Sequence, residues 1–237
     1  MHNFSFFARI LTLFPEAFPG ALGISVPNRS KGRLWDIEAI NIRDYAEDKH
    51  STVDDKPAGG GHGMIMKPDV VSKAIENNQK GINKKYLLSP RGKVFNQSLA
   101  NEMVKNKNIM LICGRYEGID QRVIDYHELE EVSIGDFILS GGEIASQVII
   151  DSCLRMIPGV LSGDNPHLEE SFSKGEYQYL LEYPQYTKPN LWNGLEIPEI
   201  LLSGNHQKIS QWRLDQAKKI TNKRRPDLWF EYINKKK

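Results

Sequence analysis

LLSPRG (Leu87–Gly92), CGRYEGID (Cys113–Asp120) and SIGDFILSGGE (Ser133–Glu143) all fall within the stretch 87–143. Each is an apolar run that breaks into a loop pairing glycine with a polar or charged residue. Three such loops in close succession are expected at the carboxyl ends of neighbouring parallel strands, where an open α/β sheet binds its ligand. Glycine lets backbone come close to a ligand, and bare N–H and C=O groups can read a flat heterocycle. None of the three is a G-x-G-x-x-G, and the chain has no G-x-x-x-x-G-K-[ST], so a conventional dinucleotide or P-loop site is disfavoured.

Around these loops, strands are expected at Phe6–Leu13, Trp35–Ile42, Lys85–Leu88, Ile109–Cys113 and Glu131–Ile134. Helices are expected from Glu16 to about Leu22, from Pro68, from Gln97 to Lys105, after Gly118 and from Glu143 to Met156. This alternation predicts an α/β fold, a parallel sheet with helices on both faces. From Pro158 to about Pro184 the period is lost in favour of Pro, Gly, Asn, Ser and Glu, which reads as a linker. A short apolar element at Pro198–Ser203 and a helix over Gln207–Asn222 follow, with Ile209, Trp212, Leu214 and Ile220 on one face and lysines on another.

With 237 residues, 40% hydrophobic and 26% charged, the chain has the composition of a globular protein with a main domain and a small second one. Phe4–Phe14 is apolar but stops at Pro15, too short for a membrane span, and lacks a small-residue cleavage site, so it reads as a first core strand. Two cysteines, Cys113 and Cys153, predict free buried thiols and a cytoplasmic location. The net charge of +1 hides polarity: Asn205–Lys237 holds ten Lys/Arg and three Asp/Glu, a net of +7. Such a tail suits nucleic acid, and charge alone separates this no better than evenly from a solvated terminal helix.

The six histidines are scattered, with neither H-E-x-x-H nor paired-cysteine zinc spacing, so metal catalysis is poorly supported. No G-x-S-x-G elbow follows a strand. Carboxylates and arginines remain: Arg115 and Glu117 beside Tyr116, Arg155 at a helix end, and Glu169-Glu170 in the linker. An arginine at a helix C-terminus is more often a dipole contact than catalytic, and adjacent glutamates in a linker are more often solvated. Gly59–Gly63 is either a flexible loop or backbone held against a base or phosphate.

Almost end to end, the chain resembles the bacterial tRNA (guanine-N1-)-methyltransferases of the TrmD family. The matching segments are LTLFPEAF (Leu11–Phe18), TVDDKPAGGGHGM (Thr52–Met64), LSPRG (Leu88–Gly92), CGRYEGIDQRV (Cys113–Val123), EEVSIGDFILSGGE (Glu130–Glu143), RMIPGVL (Arg155–Leu161), PQYTKP (Pro184–Pro189) and LLSGNHQKISQWR (Leu201–Arg213). The resemblance implies methyl transfer from S-adenosylmethionine to nitrogen 1 of guanine at nucleotide 37 of tRNA. It also implies a C-terminal trefoil knot in the sheet domain, which general topology disfavours, and a small helical C-terminal domain. The implied division is a knotted donor-binding domain over 1–160, a linker over 161–183 and a tRNA-binding domain over 184–237.

Carried over by motif, Leu87, Leu88, Ser89, Pro90, Gly114, Tyr116, Glu117, Ile134, Gly135, Asp136, Phe137, Ile138, Leu139, Gly141 and Gly142 would hold the cofactor. Asp55, Gly59, Gly60, Arg115, His206 and Arg213 would face RNA. Guanine N1 carries a proton at neutral pH, so a base must remove it, and a cation must ease charge on the neighbouring carbonyl oxygen. Arg155 matches the family's cation, with Glu117 a further catalytic candidate. The family's base is an aspartate in a D-S-F sequence; here Glu170-Ser171-Phe172 puts Glu170 there, with Glu169 as the weaker option. Glutamate has a similar intrinsic pKa and one more methylene, so its reach must be retuned. Arg91, His62 and Ala145 stand where the family carries glutamine, proline and proline, and the C-terminus is shorter than usual, which is expected to trim RNA contacts. The resemblance further implies a homodimer whose site combines the knot of one subunit with the linker and C-terminal domain of the other, the tRNA anticodon stem-loop as substrate, no membrane, and magnesium as a possible requirement. The rival readings are a catalytically weakened RNA-binding homologue and a small-molecule enzyme using the same pocket.

Overall fold

The computed structural model describes residues 4–161 and 169–235. The backbone contacts divide the chain into two compact units, Met1–Ser162 and Gly163–Lys237.

In chain order the first unit contains β1 (Phe6–Thr12), α1 (Ser25–Ser30), β2 (Trp35–Asn41), β3 (Asp54–Asp55), β4 (Ile65–Met66), α2 (Pro68–Asn78), β5 (Lys84–Val94), α3 (Gln97–Asn106), β6 (Asn108–Cys113), α4 (Gln121–Tyr126), β7 (Glu130–Ser133) and α5 (Gly142–Arg155). Five strands form one sheet in the order β2-β1-β6-β5-β7, every pair parallel, while β3 and β4 form a separate antiparallel pair. Strand side chains alternate between faces, and here both faces are buried, so the central strands read as unbroken apolar runs. In β6, Ile109, Leu111 and Cys113 join the core beneath α3 and α5, while Met110 and Ile112 join the core beneath α2 and α4. Tyr86 and Leu88 of β5 go to the first core and Leu87 to the second. Parallel sheet with helices on both faces is what the strand-helix alternation predicted.

The helix starts obey local chemistry. Pro68 opens α2 with Asp69 in its first turn, and Asn96 caps α3 by accepting from the Leu99 N–H at 3.0 Å. The helix expected from Glu16 to Leu22 is instead two 3-10 turns, Pro15–Ala17 and Gly20–Gly23. Pro15 and Pro19 supply no N–H, and Gly20 sits at φ +55°, so an α-helix does not propagate there.

The second unit holds β8 (Leu191–Trp192) and β9 (Leu195–Glu196), an antiparallel hairpin, then α6 (Glu199–Leu202), α7 (His206–Arg224) and α8 (Pro226–Lys235). Its core gathers Tyr177, Leu180, Tyr183, Ala217 and Tyr232. The stretch 169–183, expected as linker, thus contributes three buried side chains to this unit. Thr221 secures it: its hydroxyl donates to Ala217 O and accepts from the Leu181 N–H at 2.8 Å.

Candidate active site

β6, β5 and β7 are consecutive in the sheet and parallel, so the loops leaving their carboxyl ends are neighbours. Backbone contact is direct, because the Gly142 N–H donates to Gly114 O at 3.2 Å. The glycines serve two purposes. A Cβ on Gly142 would stand 2.7 Å from Cys113 Cα and 3.3 Å from Leu88 Cβ, and one on Gly92 would overlap the Glu131–Val132 backbone. Those glycines are required for packing. At Gly118, φ +112°, a Cβ would meet nothing within 4 Å, and at Gly114 nothing closer than 3.9 Å, so the space over the second loop is open.

The first loop is a detour in β5: Leu88 and Lys93 both lie opposite Val132, which leaves Ser89–Gly92 outside the ladder. Arg91, one of the departures from the family pattern, donates to Glu131 Oε1 at 2.9 Å and to Gln121 Oε1 at 3.2 Å. Along the third loop, Asp136, Phe137 and Ile138 are exposed, while Ile134 and Leu139 pack against the core.

The glycine-rich stretch is tied to the second loop. The Glu117 N–H donates to Met64 O at 2.9 Å and the Met66 N–H to Gly118 O at 2.9 Å. Gly63 lies against the Glu117 side chain, and Asp55 of β3 pairs with Ile65 of β4. Asp55, Gly59, Gly60 and Glu117 are therefore held to one neighbourhood, with Gly59 and Gly60 exposed at positive φ. Tyr116 is half exposed at φ +59°, a backbone region that costs a side-chain-bearing residue energy and is often found at functional sites.

Beneath the loops Arg115 meets a carboxylate that sequence reading did not single out. Glu143, 4% exposed, accepts from Thr12 Oγ1 at 2.7 Å and pairs with Arg115, whose Nη2 is 3.0 Å from Glu143 Oε2. Arg115 also donates to Ser140 O at 3.2 Å, and its guanidinium lies 4.3 Å from the Phe14 ring centroid. The signal was present, since Glu143 ends SIGDFILSGGE and Thr12 and Phe14 lie in LTLFPEAF, but residues so far apart in sequence show no periodicity. Cys113 and Cys153 are free and buried; burial pushes the Cys153 thiol up to about 12, and burial with the nearby Glu143 charge pushes Cys113 up as well.

Arg155 ends α5, half-buried. In the second unit Glu169 accepts from the Tyr183 hydroxyl at 2.7 Å and pairs with Arg213 at 3.0 Å. Burial, then the Glu169 carboxylate, pushes the Tyr183 phenol up to about 12. Glu170 opens the turn closed by the Ser173 N–H on Glu170 O at 3.2 Å, with Phe172 at φ +65°. His206 is exposed at the first turn of α7. Among the described residues no group of three or more His, Cys, Asp or Glu could hold a metal ion, and no helix is long and apolar enough to cross a membrane. His2 and His167 lie outside the described residues.

A family model described as "tRNA (Guanine-1)-methyltransferase TrmD" matches residues 7–231. A protein of Pelagibacter ubique is 50% identical over 226 residues, covering 95% of this chain and 97% of its own length. Another from Wolbachia pipientis is 49% identical over 235 residues, 98% of this chain and 99% of its own. One from Rhodospirillum rubrum is 49% identical over 227 residues, 95% of this chain and 93% of its own. All three carry the name "tRNA (guanine-N(1)-)-methyltransferase".

Proposed function

This chain belongs to the tRNA (guanine-1)-methyltransferase family, and from that premise we propose that it transfers a methyl group from S-adenosylmethionine to nitrogen 1 of guanine at nucleotide 37 of tRNA. The observation that carries the reading is the convergence of three glycine-bearing loops at the ends of adjacent parallel strands, with open space over Gly114 and Gly118. An adenosine there would meet bare backbone groups at its edge, with Leu88, Ile134 and Leu139 of the apolar cluster on the α3–α5 side close by.

S-adenosylmethionine, when bound, supplies a methyl group already activated on a sulfonium. Leu87–Pro90, Gly114, Tyr116, Glu117, Ile134–Leu139, Gly141 and Gly142 hold and aim it, since alignment accounts for much of the remaining rate. Glu170 takes the proton from guanine N1 and Arg155 eases the charge that grows on the neighbouring oxygen. Glu170 stands at the position of the family's base, and Glu169, held by Tyr183 and Arg213, is the second option. Asp55, Gly59, Gly60, His206 and Arg213 serve the RNA face, while the guanidinium of Arg115 is turned onto Glu143 and Ser140. The described residues offer magnesium no ready ligand cluster, and no step here runs through it.

The proposed architecture is a donor-binding domain over 1–160 closed by a trefoil knot, a linker over 161–183 whose Tyr177, Leu180 and Tyr183 pack into the unit that follows, and a helical tRNA-binding domain over 184–237. Backbone-to-backbone approach at Gly92 and Gly142 is the kind of contact that interlaced loops need. A homodimer is supported by the exposed apolar Phe137, Ile138, Ile144 and Val148 at the third loop and α5. The net of +7 from Asn205 to Lys237 supports binding of phosphates, and the reaction belongs to the cytoplasm, where tRNA is processed.

The test is incorporation of labelled methyl from S-adenosylmethionine into tRNA transcripts carrying guanine or adenine at nucleotide 37. Signal on guanine alone is expected. Signal on neither, with tRNA still bound, would instead establish a weakened RNA-binding homologue, the reading that glutamate in place of the family's aspartate favours.

A further inference from the structure

Resting on that reading of the donor site, we propose that Arg115 and Glu143 form an internal ion pair that sets the spacing of the second and third loops, making Arg115 a positioning residue for the methyl donor. Arg115 belongs to the loop after β6 and Glu143 to the first turn of α5, directly after the loop that leaves β7. The guanidinium spans both: Nη2 meets Glu143 Oε2 at 3.0 Å and Nη1 donates to Ser140 O at 3.2 Å. Thr12, at the end of β1, holds the other carboxylate oxygen at 2.7 Å, which anchors the pair to the sheet.

The environment favours a fixed pair over a mobile surface contact. The Glu143 side chain is 5% exposed and that of Arg115 25% exposed, and Phe14 lies under the guanidinium. A buried carboxylate must keep a cation and hydrogen bonds, because removing one partner leaves an uncompensated charge. The planar guanidinium can serve a carboxylate and a carbonyl at once, where an ammonium is a point charge. Gly141 shows how tightly the pair fits: a Cβ there would overlap Arg115 Nε and Glu143 Oε2. Its absence lets the third loop cross directly over the pair. The Gly142 N–H on Gly114 O then follows from the same closure.

With its guanidinium turned onto the third loop, Arg115 serves RNA only through the shape of the loops it joins. The experiment uses the full chain and three readouts: isothermal titration with S-adenosylhomocysteine, filter binding of a tRNA transcript, and thermal melting. Arg115→Lys keeps a positive charge near Glu143 but not the second contact to Ser140 O. It is expected to melt near wild type, to weaken S-adenosylhomocysteine by about tenfold, and to leave tRNA affinity within about twofold. Glu143→Gln is expected to weaken it similarly, and Arg115→Lys with Glu143→Gln no further than the weaker single variant, since both remove one interaction. Should Glu143→Gln not fold, Arg115→Lys decides alone. Unchanged S-adenosylhomocysteine affinity in folded Arg115→Lys, or a loss confined to tRNA, overturns the proposal and returns Arg115 to the RNA face. A wild-type protein that does not bind S-adenosylhomocysteine overturns the donor-site reading instead.

Discussion

The two units solve the same problem with opposite materials. The first buries a parallel sheet between two aliphatic cores and gathers three glycine-bearing loops at its strand ends, where Gly92 and Gly142 are packed against backbone and Gly114 and Gly118 face open space. The second has a small core rich in tyrosine and carries on its turns and helices the side chains proposed to meet the substrate, Glu170, Arg213 and His206. Backbone on a rigid sheet suits a cofactor of constant shape, while long polar side chains suit a substrate that must be gripped and released. The larger the effect expected of a change, the more sharply it separates these two designs.

The largest effect belongs to the second unit. Glu170→Gln is expected to lower methyl transfer by about 10²- to 10⁴-fold, the usual worth of a positioned base. S-adenosylhomocysteine affinity is expected to stay unchanged, because the proposed donor site lies in the other unit. Turnover equal to wild type would move the base elsewhere, with Glu169→Gln the next variant to assay.

Glycine substitutions sharpen the comparison by stability rather than turnover. Gly92→Ala places a Cβ into the Glu131–Val132 backbone, where no flexible side chain can yield, and is expected to destabilise by about 3 kcal/mol. Its donor affinity falls with its melting temperature. Gly194→Ala, in the β8–β9 turn at φ +79° with nothing within 4 Å, bears only backbone strain, about 1 kcal/mol. Equal losses at the two positions would show that the first loop is more pliant than its contacts imply.

What could be read in the sequence follows the same division. The loops at Leu87–Gly92, Cys113–Asp120 and Ser133–Glu143 were legible because an apolar run ending in glycine is a local signal that a sheet must obey. The continuation of β5 to Val94 was not, since it depends on β7 accepting a second register beyond Leu88. Nor was α8, where Pro226 opens a new helix just after α7 ends. The ion pair of Arg115 and Glu143, the tie of Glu169 to Arg213, and the accommodation of Arg91 by Glu131 and Gln121 join residues without fixed spacing. Family resemblance pointed to the motifs holding Arg115 and Glu143, but only coordinates join them.

The smallest effect is titration, and it acts from opposite ends of the pH scale. Burial in the second unit pushes Tyr183 and Tyr177 from 10.0 up to about 12. A raised folded-state value means stability is fully present below pH 10 and declines as pH rises from there toward about 12. In the first unit, burial holds His127 below its ordinary value, with Ser72 Oγ 2.7 Å from its Nε2. A lowered histidine value reverses the sign: its contribution is whole above 6.5 and is eroded as pH falls below it, because the unfolded chain takes the proton first. Melting followed by circular dichroism should therefore show Tyr183→Phe flattening the alkaline limb and His127→Gln flattening the acid limb. Either variant flattening the opposite limb would mean that the two units do not titrate as their own cores dictate.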